Sequence, residues 1–354
     1  MYWYLSLLHD RIVSTLRNMR NNNTPFEEYL MYYSLNDYCH EHFGRKLYKI
    51  SLDGCFTCPN RDGKLGTKGC IFCSEGGSGD FAQKITEGID TQIERGKMQV
   101  ARKMPKHFDS CQNGNNHSLQ KAKIPSYIAY FQAYTNTYGP IERMEKLFTE
   151  AINHEDIAVL SIATRPDCLP DEVLDLLERL NRIKPVWVEL GLQTIHEKSA
   201  RYIRRGYPLE IYDHALKNLK SRGLSVIVHV ILGLPGETED DIYQTIDYIA
   251  AGQSGYRADG IKLQLLHVLK NTDLAEEYEK GKVPILSPDQ YFPLLAGGIR
   301  RLPPDMVIHR LTGDGPKKLL VAPLWTGNKR MVLNTLRKYL KDNQVVQGSL
   351  YTQK

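Results

Sequence analysis

The sequence predicts an α/β fold: an open, partial TIM barrel of about six βα units with a small C-terminal closing segment. Three observations lead there. Short apolar runs alternate with amphipathic helical segments across residues 46–285. The runs are apolar almost throughout, as strands of a parallel sheet buried on both faces are. The alternation stops at Leu286 after six units, short of the eight that close a full barrel.

Residues 1–45 form an extension and a capping helix. The opening MYWYLSLLHDRIV is apolar but carries His9, Asp10 and Arg11, and no small-residue cleavage site follows. It reads as an amphipathic helix or an extension rather than a signal peptide. After the polar break at 21–24, residues 25–43 show helical spacing of Leu30, Tyr33, Leu35 and Tyr38, placed to cap the bottom of the next domain.

Residues 47–52 form the first strand, and its C-terminal end delivers GCFTCPNRDGKLGTKGCIFC. Four of the seven cysteines, Cys55, Cys58, Cys70 and Cys73, fall within nineteen residues there. Gly63, Gly66, Gly69 and a Pro-Asn-Arg-Asp-Gly turn let the loop fold back and gather the sulfurs. Two metal chemistries fit this spacing. Paired as Cys55-x2-Cys58 and Cys70-x2-Cys73, the four thiolates make a closed zinc ribbon. With Cys58, Cys70 and Cys73 alone, they hold an iron–sulfur cluster with one iron open to a ligand. Disulfides are the third reading, disfavoured by the odd cysteine count and the cytosolic look of the chain. In barrel-like α/β folds chemistry collects at the C-terminal ends of strands, which is where this loop lies.

Residues 83–104 are helical in pattern. Residues 105–125 are a polar surface insertion, in which His107, Cys111 and His117 lack a metal-ligand spacing. Strands follow at 126–131, 157–163, 186–192, 224–232 and 260–267. Helices fall at 141–153, 171–183, 196–203, 209–222, 239–251 and 274–280. The strand ends are polar or glycine-rich: Gln132-Ala133-Tyr134, Thr164-Arg165-Pro166-Asp167, Glu189 with Gly191 and Gln193, and Gly233-Leu234-Pro235-Gly236. All point to the rim that carries the cysteine loop, and together they describe a pocket lined by amides and hydroxyls.

The closing segment, 286–354, holds a helix at 288–301, a strand and turn at 307–315 and a last helix at 329–341. His309 and Arg310 follow the strand and precede a glycine-rich turn, a place for substrate contact. The last helix carries Lys329, Arg330, Arg337, Lys338 and Lys341 on one face, read first as a solvated face and alternatively as a nucleic-acid contact.

Bulk composition is that of a soluble enzyme: 42% hydrophobic, 25% charged, net charge +5. The mild positive charge permits a polyanionic partner without requiring one. No apolar run reaches the length of about 20 residues that a membrane span needs, so a cytoplasmic location is expected.

These motifs resemble the radical S-adenosylmethionine (radical SAM) superfamily, and within it the bacterial YhcC/YtqA-type subgroup. The resemblance covers residues 35–345 and is carried by FTCPNRDG, GCIFC, GSGDFA, AYFQAYTNTY, TRPDCLP, VELGLQTIH, ILGLPGET, IKLQLLHVLK and RLPPDMVIHRLTGDGP. A looser similarity, through TRPD, VELGLQ and GLPGE, extends to the radical SAM domain of the elongator catalytic subunit. The resemblance implies a 4Fe-4S cluster on Cys58, Cys70 and Cys73, with Cys55 standing where the subgroup has a small residue and serving as a spare thiol. It implies S-adenosylmethionine at the open iron. Phe72 would lie along the adenine, and Gln132, Ala133 and Tyr134 would receive the methionine amino group, where many members have Gly-Gly-Glu. Thr164 would join the cofactor site, Glu189 and Gln193 would approach the ribose and methionine, and Gly233, Pro235 and Gly236 would pass the adenine. Arg165, His267, His309 and Arg310 are the substrate-binding candidates.

The implied activity is reductive cleavage of S-adenosylmethionine for tRNA modification at C5 of the wobble uridine, for example carboxymethylaminomethyl-uridine to aminomethyl-uridine. A reductant such as flavodoxin or ferredoxin is implied with it. Arg165, Arg204, Arg205, His309, Arg310 and the basic last helix are compatible with RNA. The alternatives are a radical SAM enzyme acting on a small metabolite or peptide, and a non-catalytic zinc-ribbon RNA-binding protein.

Overall fold

A computed structural model describes residues 31–80, 82, 88–102, 125–313 and 315–352, so residues 1–30 and most of the 105–125 insertion lie outside the described residues. Seven parallel strands form a curled half-barrel: β1 (Tyr48–Leu52), β2 (Tyr127–Phe131), β3 (Ile157–Thr164), β4 (Val186–Gln193), β5 (Ser225–Leu232), β6 (Gly260–Leu265) and β8 (Val307–Arg310), in the order β1-β2-β3-β4-β5-β6-β8. Each neighbouring pair is parallel. The outer strands β1 and β8 do not pair with each other, which leaves the barrel open.

Burial explains the apolar runs. All eight residues of β3 are buried, as are most of β4 and β5, because helices cover the outer face while the inner face looks into the barrel. The outer helices are α2 (Ile89–Ala101), α3 (Ile141–Asn153), α4 (Asp171–Asn181), α5 (Glu197–Tyr202), α6 (Leu209–Ser221) and α7 (Glu239–Ala251). The approach of α2 to the sheet depends on Gly96, where an added Cβ would stand 2.2 Å from Ile50 Cγ2. Within the predicted span 83–104, the helix among the described residues covers Ile89–Ala101.

Helix α1 (Leu35–Phe43) opens on a capping box between Ser34 and Asp37 and stops at Gly44, whose φ of +69° suits a residue without a side chain. It lies across the N-terminal side of the sheet. Cys39 joins Leu47, Ile128, Val159, Trp187 and Ile227 in one buried cluster, and Tyr38 meets Trp187 edge-on with ring centroids 5.8 Å apart.

Beyond the sixth strand the architecture is richer than six units. Helices α8 (Asp273–Glu279) and α9 (Pro288–Arg301) precede β8, and α10 (Lys329–Asp342) follows it. Strand β8 continues the sheet in parallel beside β6, and Tyr33 O accepts a hydrogen bond from Ile308 N at 2.8 Å on its far side. A separate antiparallel pair, β7 (Val268–Leu269) with β9 (Leu320–Ala322), has no counterpart in the sequence pattern. Two- and three-residue strands are too short to show a period.

Candidate active site

The loop after β1 is tied into a compact cradle by its own backbone. Cys58 O accepts from Arg61 N at 2.8 Å, Asn60 O from Gly69 N at 2.7 Å, and Cys70 O from Cys73 N at 3.0 Å. Gly69 has φ +78°, and a Cβ there would press on the Arg61 guanidinium at 2.8 Å, so glycine is needed on both counts. Arg61 donates to Cys73 O at 2.9 Å and Ser74 O at 2.6 Å, and Asn60 Nδ2 donates to Arg204 O at 2.6 Å, which staples the loop to the segment after α5.

Cys58, Cys70 and Cys73 line one cleft at the C-terminal ends of the strands. Burial pushes the Cys70 thiol up to about 12, with Cys73 adding to the rise and the Asn60 amide, 3.4 Å from Cys70 Sγ, opposing it. Burial also raises Cys73, against the charge and hydrogen bond of Arg61. Cys55 is turned out of this cleft: it is exposed, has φ +53°, and its N–H donates to Asp53 Oδ1 at 2.7 Å.

This arrangement does not match the spacing that the four-thiolate alternative needs. A tetrahedral zinc with bonds near 2.3 Å holds its sulfurs about 3.8 Å apart. Among the described residues no three of these sulfurs fall within 4.8 Å of one another. Three separated thiols facing one cleft suit a polynuclear cluster with a site left open, so the donor set fits a three-cysteine iron–sulfur centre. The one compact group of metal-ligating type among the described residues is Glu94, His154 and Asp156. Lys97 Nζ sits 2.6 Å from Glu94 and 2.5 Å from Asp156, so an ammonium already occupies that position.

Most of the residues singled out in the sequence meet around this cleft. Phe72, Gln132, Tyr134 and Thr164 line it, as do Arg165, His267 and Arg310. Tyr134, with φ +58°, packs its ring against Gly77 and donates its hydroxyl to Glu75 O. Gln132 Oε1 accepts from Ser51 Oγ at 3.0 Å. Gln193, with φ +69°, ends β4 on the cleft wall, and its Oε1 is buried without a hydrogen-bond partner among the described residues. Such an orphaned acceptor fits a site that waits for a donor group. His267 packs where side chains at Gly313 and Gly315 would collide with it.

Four of the predicted positions fall outside the cleft lining, and a fifth lies beneath it. Ala133 is buried against Gly79 of the cysteine loop. Gly233, with φ +86°, abuts Leu286, and Pro235 and Gly236 continue that turn away from the lining. His309 lies beneath the cleft, edge-on to Trp187 at 5.4 Å, with Nδ1 buried and without a partner among the described residues. Burial and the nearby Lys49 push its imidazole well below the ordinary range.

Two arginines read as RNA contacts are committed within the protein. Arg205 is 2% exposed, donates to the carbonyls of Thr194 (2.6 Å) and Tyr207 (2.9 Å), and pairs with Glu197 at 2.9 Å. Arg165 makes a two-pronged pair with Asp167 at 2.9 and 2.7 Å.

The floor of the cleft holds a polar layer that sequence reasoning missed, apart from Glu189. Glu189, fully buried, accepts from Lys49 Nζ at 2.8 Å and Ser161 Oγ at 2.9 Å on Oε1. On Oε2 it meets His229 Nε2 at 2.8 Å and Lys262 Nζ. Lys262 also lies over the Tyr130 ring, 4.6 Å from its centroid. The layer takes one residue from each of β1 to β6. Its signal was legible: Lys49, His229 and Lys262 are charged or titratable residues inside otherwise apolar central strands. Against the upward push of burial, Lys262 and Lys49 hold the Glu189 carboxyl well below the usual carboxylate range.

Comparison with known proteins bears on the same residues. Residues 66–249 match the family model described as "Radical SAM superfamily", and residues 258–342 match the "Radical_SAM C-terminal domain". The uncharacterized protein YtqA of Bacillus subtilis is 41% identical over 334 residues, covering 94% of this chain and 97% of its own. Protein YhcC of Escherichia coli is 35% identical over 308 residues, covering 87% and 91%. Among solved structures, the archaeal Methanocaldococcus infernus Elp3 superposes with a TM-score of 0.58 at 16% identity, over 85% of this chain and 64% of that one, a likeness of fold. Among the described residues no helix is long and apolar enough to cross a membrane.

Proposed function

The chain belongs to the radical SAM superfamily, and from that premise we propose that the cleft binds a 4Fe-4S cluster and S-adenosylmethionine and acts on the C5 side chain of a tRNA wobble uridine. The observation that carries the reading is the meeting of three cleft-facing cysteines with an unsatisfied Gln193 acceptor at the C-terminal rim of the sheet. Cys58, Cys70 and Cys73 would hold the cluster, and Cys55 would take no part. The chemistry such a cluster supplies is one-electron cleavage of S-adenosylmethionine to methionine and a 5′-deoxyadenosyl radical.

The chain's own residues would position and shield. Gln193 Oε1 offers an acceptor to the amino or ribose hydroxyl groups of S-adenosylmethionine, and Phe72 an apolar face for its adenine. Phe72 packs on a cluster of Ile71, Ile203, Ile231 and Leu234, which keeps water from that side. Arg205 holds the Gln193–Thr194 turn through Thr194 O, so it is a positioning residue.

The RNA part of the proposal rests on the fold likeness to Elp3, the net charge of +5 and the exposed Arg330, Arg337 and Lys338 of α10. A flavodoxin- or ferredoxin-type reductant would supply the electron. The test is anaerobic reconstitution with iron and sulfide, then an assay for 5′-deoxyadenosine with dithionite and S-adenosylmethionine. Wild type and Cys55→Ala are expected to form it, and Cys58→Ala is not. One zinc per chain and no product from any of the three would overturn the reading.

A further inference from the structure

The main-chain ladder fixes each strand against its neighbours only, and β1 and β8, at the two ends of the order, do not pair. Five strand spacings separate β1 from β6, about 24 Å measured along the sheet. Yet Lys49 of β1 and Lys262 of β6 meet on one carboxylate, Glu189 of β4. The three side chains therefore join across the hollow of the curl. Tyr130 of β2 lies among them, its ring centroid 4.7 Å from Lys49 Nζ and 4.6 Å from Lys262 Nζ.

Glu189 has no acceptor left for a ligand. Lys49 Nζ and Ser161 Oγ approach Oε1, His229 Nε2 and Lys262 Nζ approach Oε2, and four donors are as many as a carboxylate accepts. Two ammoniums on one carboxylate are also one cation more than charge balance needs, and a buried excess charge costs stability. Position, not stability, accounts for the second lysine. Leu47, Trp187 and Ile227 pack together in the buried cluster beneath helix α1, while Glu189, Gly191 and Gln193 follow one another along the cleft side of β4. Gln193 lies over Gly191, where a Cβ would meet its Nε2 at 3.0 Å. The unmet acceptor of Gln193 thus stands on the stretch of strand that Glu189 anchors.

We propose that Glu189 is a positioning residue that touches no cofactor: with Lys49 and Lys262 it ties β1, β4 and β6 across the open barrel and so sets how far Gln193 stands from the cysteine loop. This rests on the reading of the cleft as the S-adenosylmethionine site, for which the cysteine loop after β1 and Gln193 at the end of β4 must face each other at a fixed separation. In a closed barrel, main-chain pairing all the way round would hold that separation. Here the edges are free, and a buried ion pair with its hydrogen bonds filled supplies the register that the ladder lacks.

The test cuts the tie at its most accessible end. The Lys49 side chain is 22% exposed against 0% for Glu189, and Lys49→Met leaves one ammonium facing one carboxylate, so the variant is expected to fold with unchanged Tm. In the full chain reconstituted with iron and sulfide, Lys49→Met should keep its iron and bind S-adenosylmethionine about tenfold more weakly, the worth of one hydrogen bond no longer well placed. Lys49→Arg, whose guanidinium still reaches Glu189, should recover most of that loss. Hydrogen exchange of the chain without cluster or cofactor reads the tie directly: Lys49→Met should speed exchange in peptides covering 189–194 and 260–267 as well as in β1. The proposal is overturned if affinity is unchanged, if iron and Tm fall together with affinity, if Lys49→Arg behaves as Lys49→Met, or if faster exchange is confined to β1. A rise in affinity also overturns it, because the freed Oε1 would then be taking a donor from the cofactor. If reconstituted wild type binds no S-adenosylmethionine, the cofactor reading fails, and the exchange pattern alone decides the tie.

Discussion

His229 Nε2 stands 2.8 Å from Glu189 Oε2, inside a barrel where the same carboxylate also holds Lys49 and Lys262. An ionised carboxylate only accepts, so Nε2 carries the proton of this bond. Burial and the Lys262 ammonium depress His229 from 6.5 to about 4, while Glu189 opposes them.

A pH dependence of stability follows from that pair. Between about pH 6.5 and 4 the unfolded chain binds a proton at this histidine and the folded chain does not, so stability falls as the pH falls through that window. At pH 5 the loss from this group is about 2 kcal/mol relative to pH 7. His229→Gln, which keeps a donor for Glu189, should flatten this part of the profile. The check is Tm at pH 7 and pH 5 for both proteins. Equal drops in the two would remove His229 as the cause.

The cysteine loop gives a compositional prediction. Cys58→Ala, Cys70→Ala and Cys73→Ala should each lose most of the reconstituted iron and the visible absorbance that goes with it. Cys55→Ala should keep both, because its thiol is exposed and outside the cleft. Iron and sulfide per chain, measured after desalting, decide the point. Iron lost on Cys55→Ala would return that residue to the ligand set.

Much of this was legible in the sequence, and the rest was hidden for identifiable reasons. The six strands of the barrel announced themselves as apolar runs, since each is buried on both faces, and the cysteine loop stood out by density. Strand β8 was read as a closing piece, whereas it extends the sheet beside β6 and leaves the barrel open. Register between distant segments leaves no mark on local pattern. Lys49, His229 and Lys262 each look like a lone exception in its own strand, and only the fold shows that they share Glu189. Arg205 beside Arg204 read as a basic pair for RNA; burial, which no dipeptide reveals, makes it a strut for the Gln193 turn.

Packing of α2 against β1 offers a stability test remote from the chemistry. Gly96→Ala would place a methyl 2.2 Å from Ile50 Cγ2, far inside van der Waals contact. Alanine normally favours a helix over glycine by up to about 1 kcal/mol, yet here overpacking should outweigh that and destabilise by about 1–3 kcal/mol. Denaturant unfolding measures it, and Gly96→Ala with Ile50→Val should recover part of the loss. A stabilised single variant would mean that the helix shifts freely away from the sheet.

Gln193 separates binding from folding. Its Oε1 is buried without a partner among the described residues, and a group in that state costs the folded protein about 1–3 kcal/mol. Gln193→Met, close in volume and without the amide, should therefore leave Tm unchanged or raised. If the acceptor is held ready for S-adenosylmethionine, the same change should weaken binding of that cofactor by about tenfold in the reconstituted protein. Opposite signs in the two measurements are the signature of a site that carries an unmet bond until its ligand arrives. A fall in Tm with unchanged affinity would assign Gln193 to the fold alone.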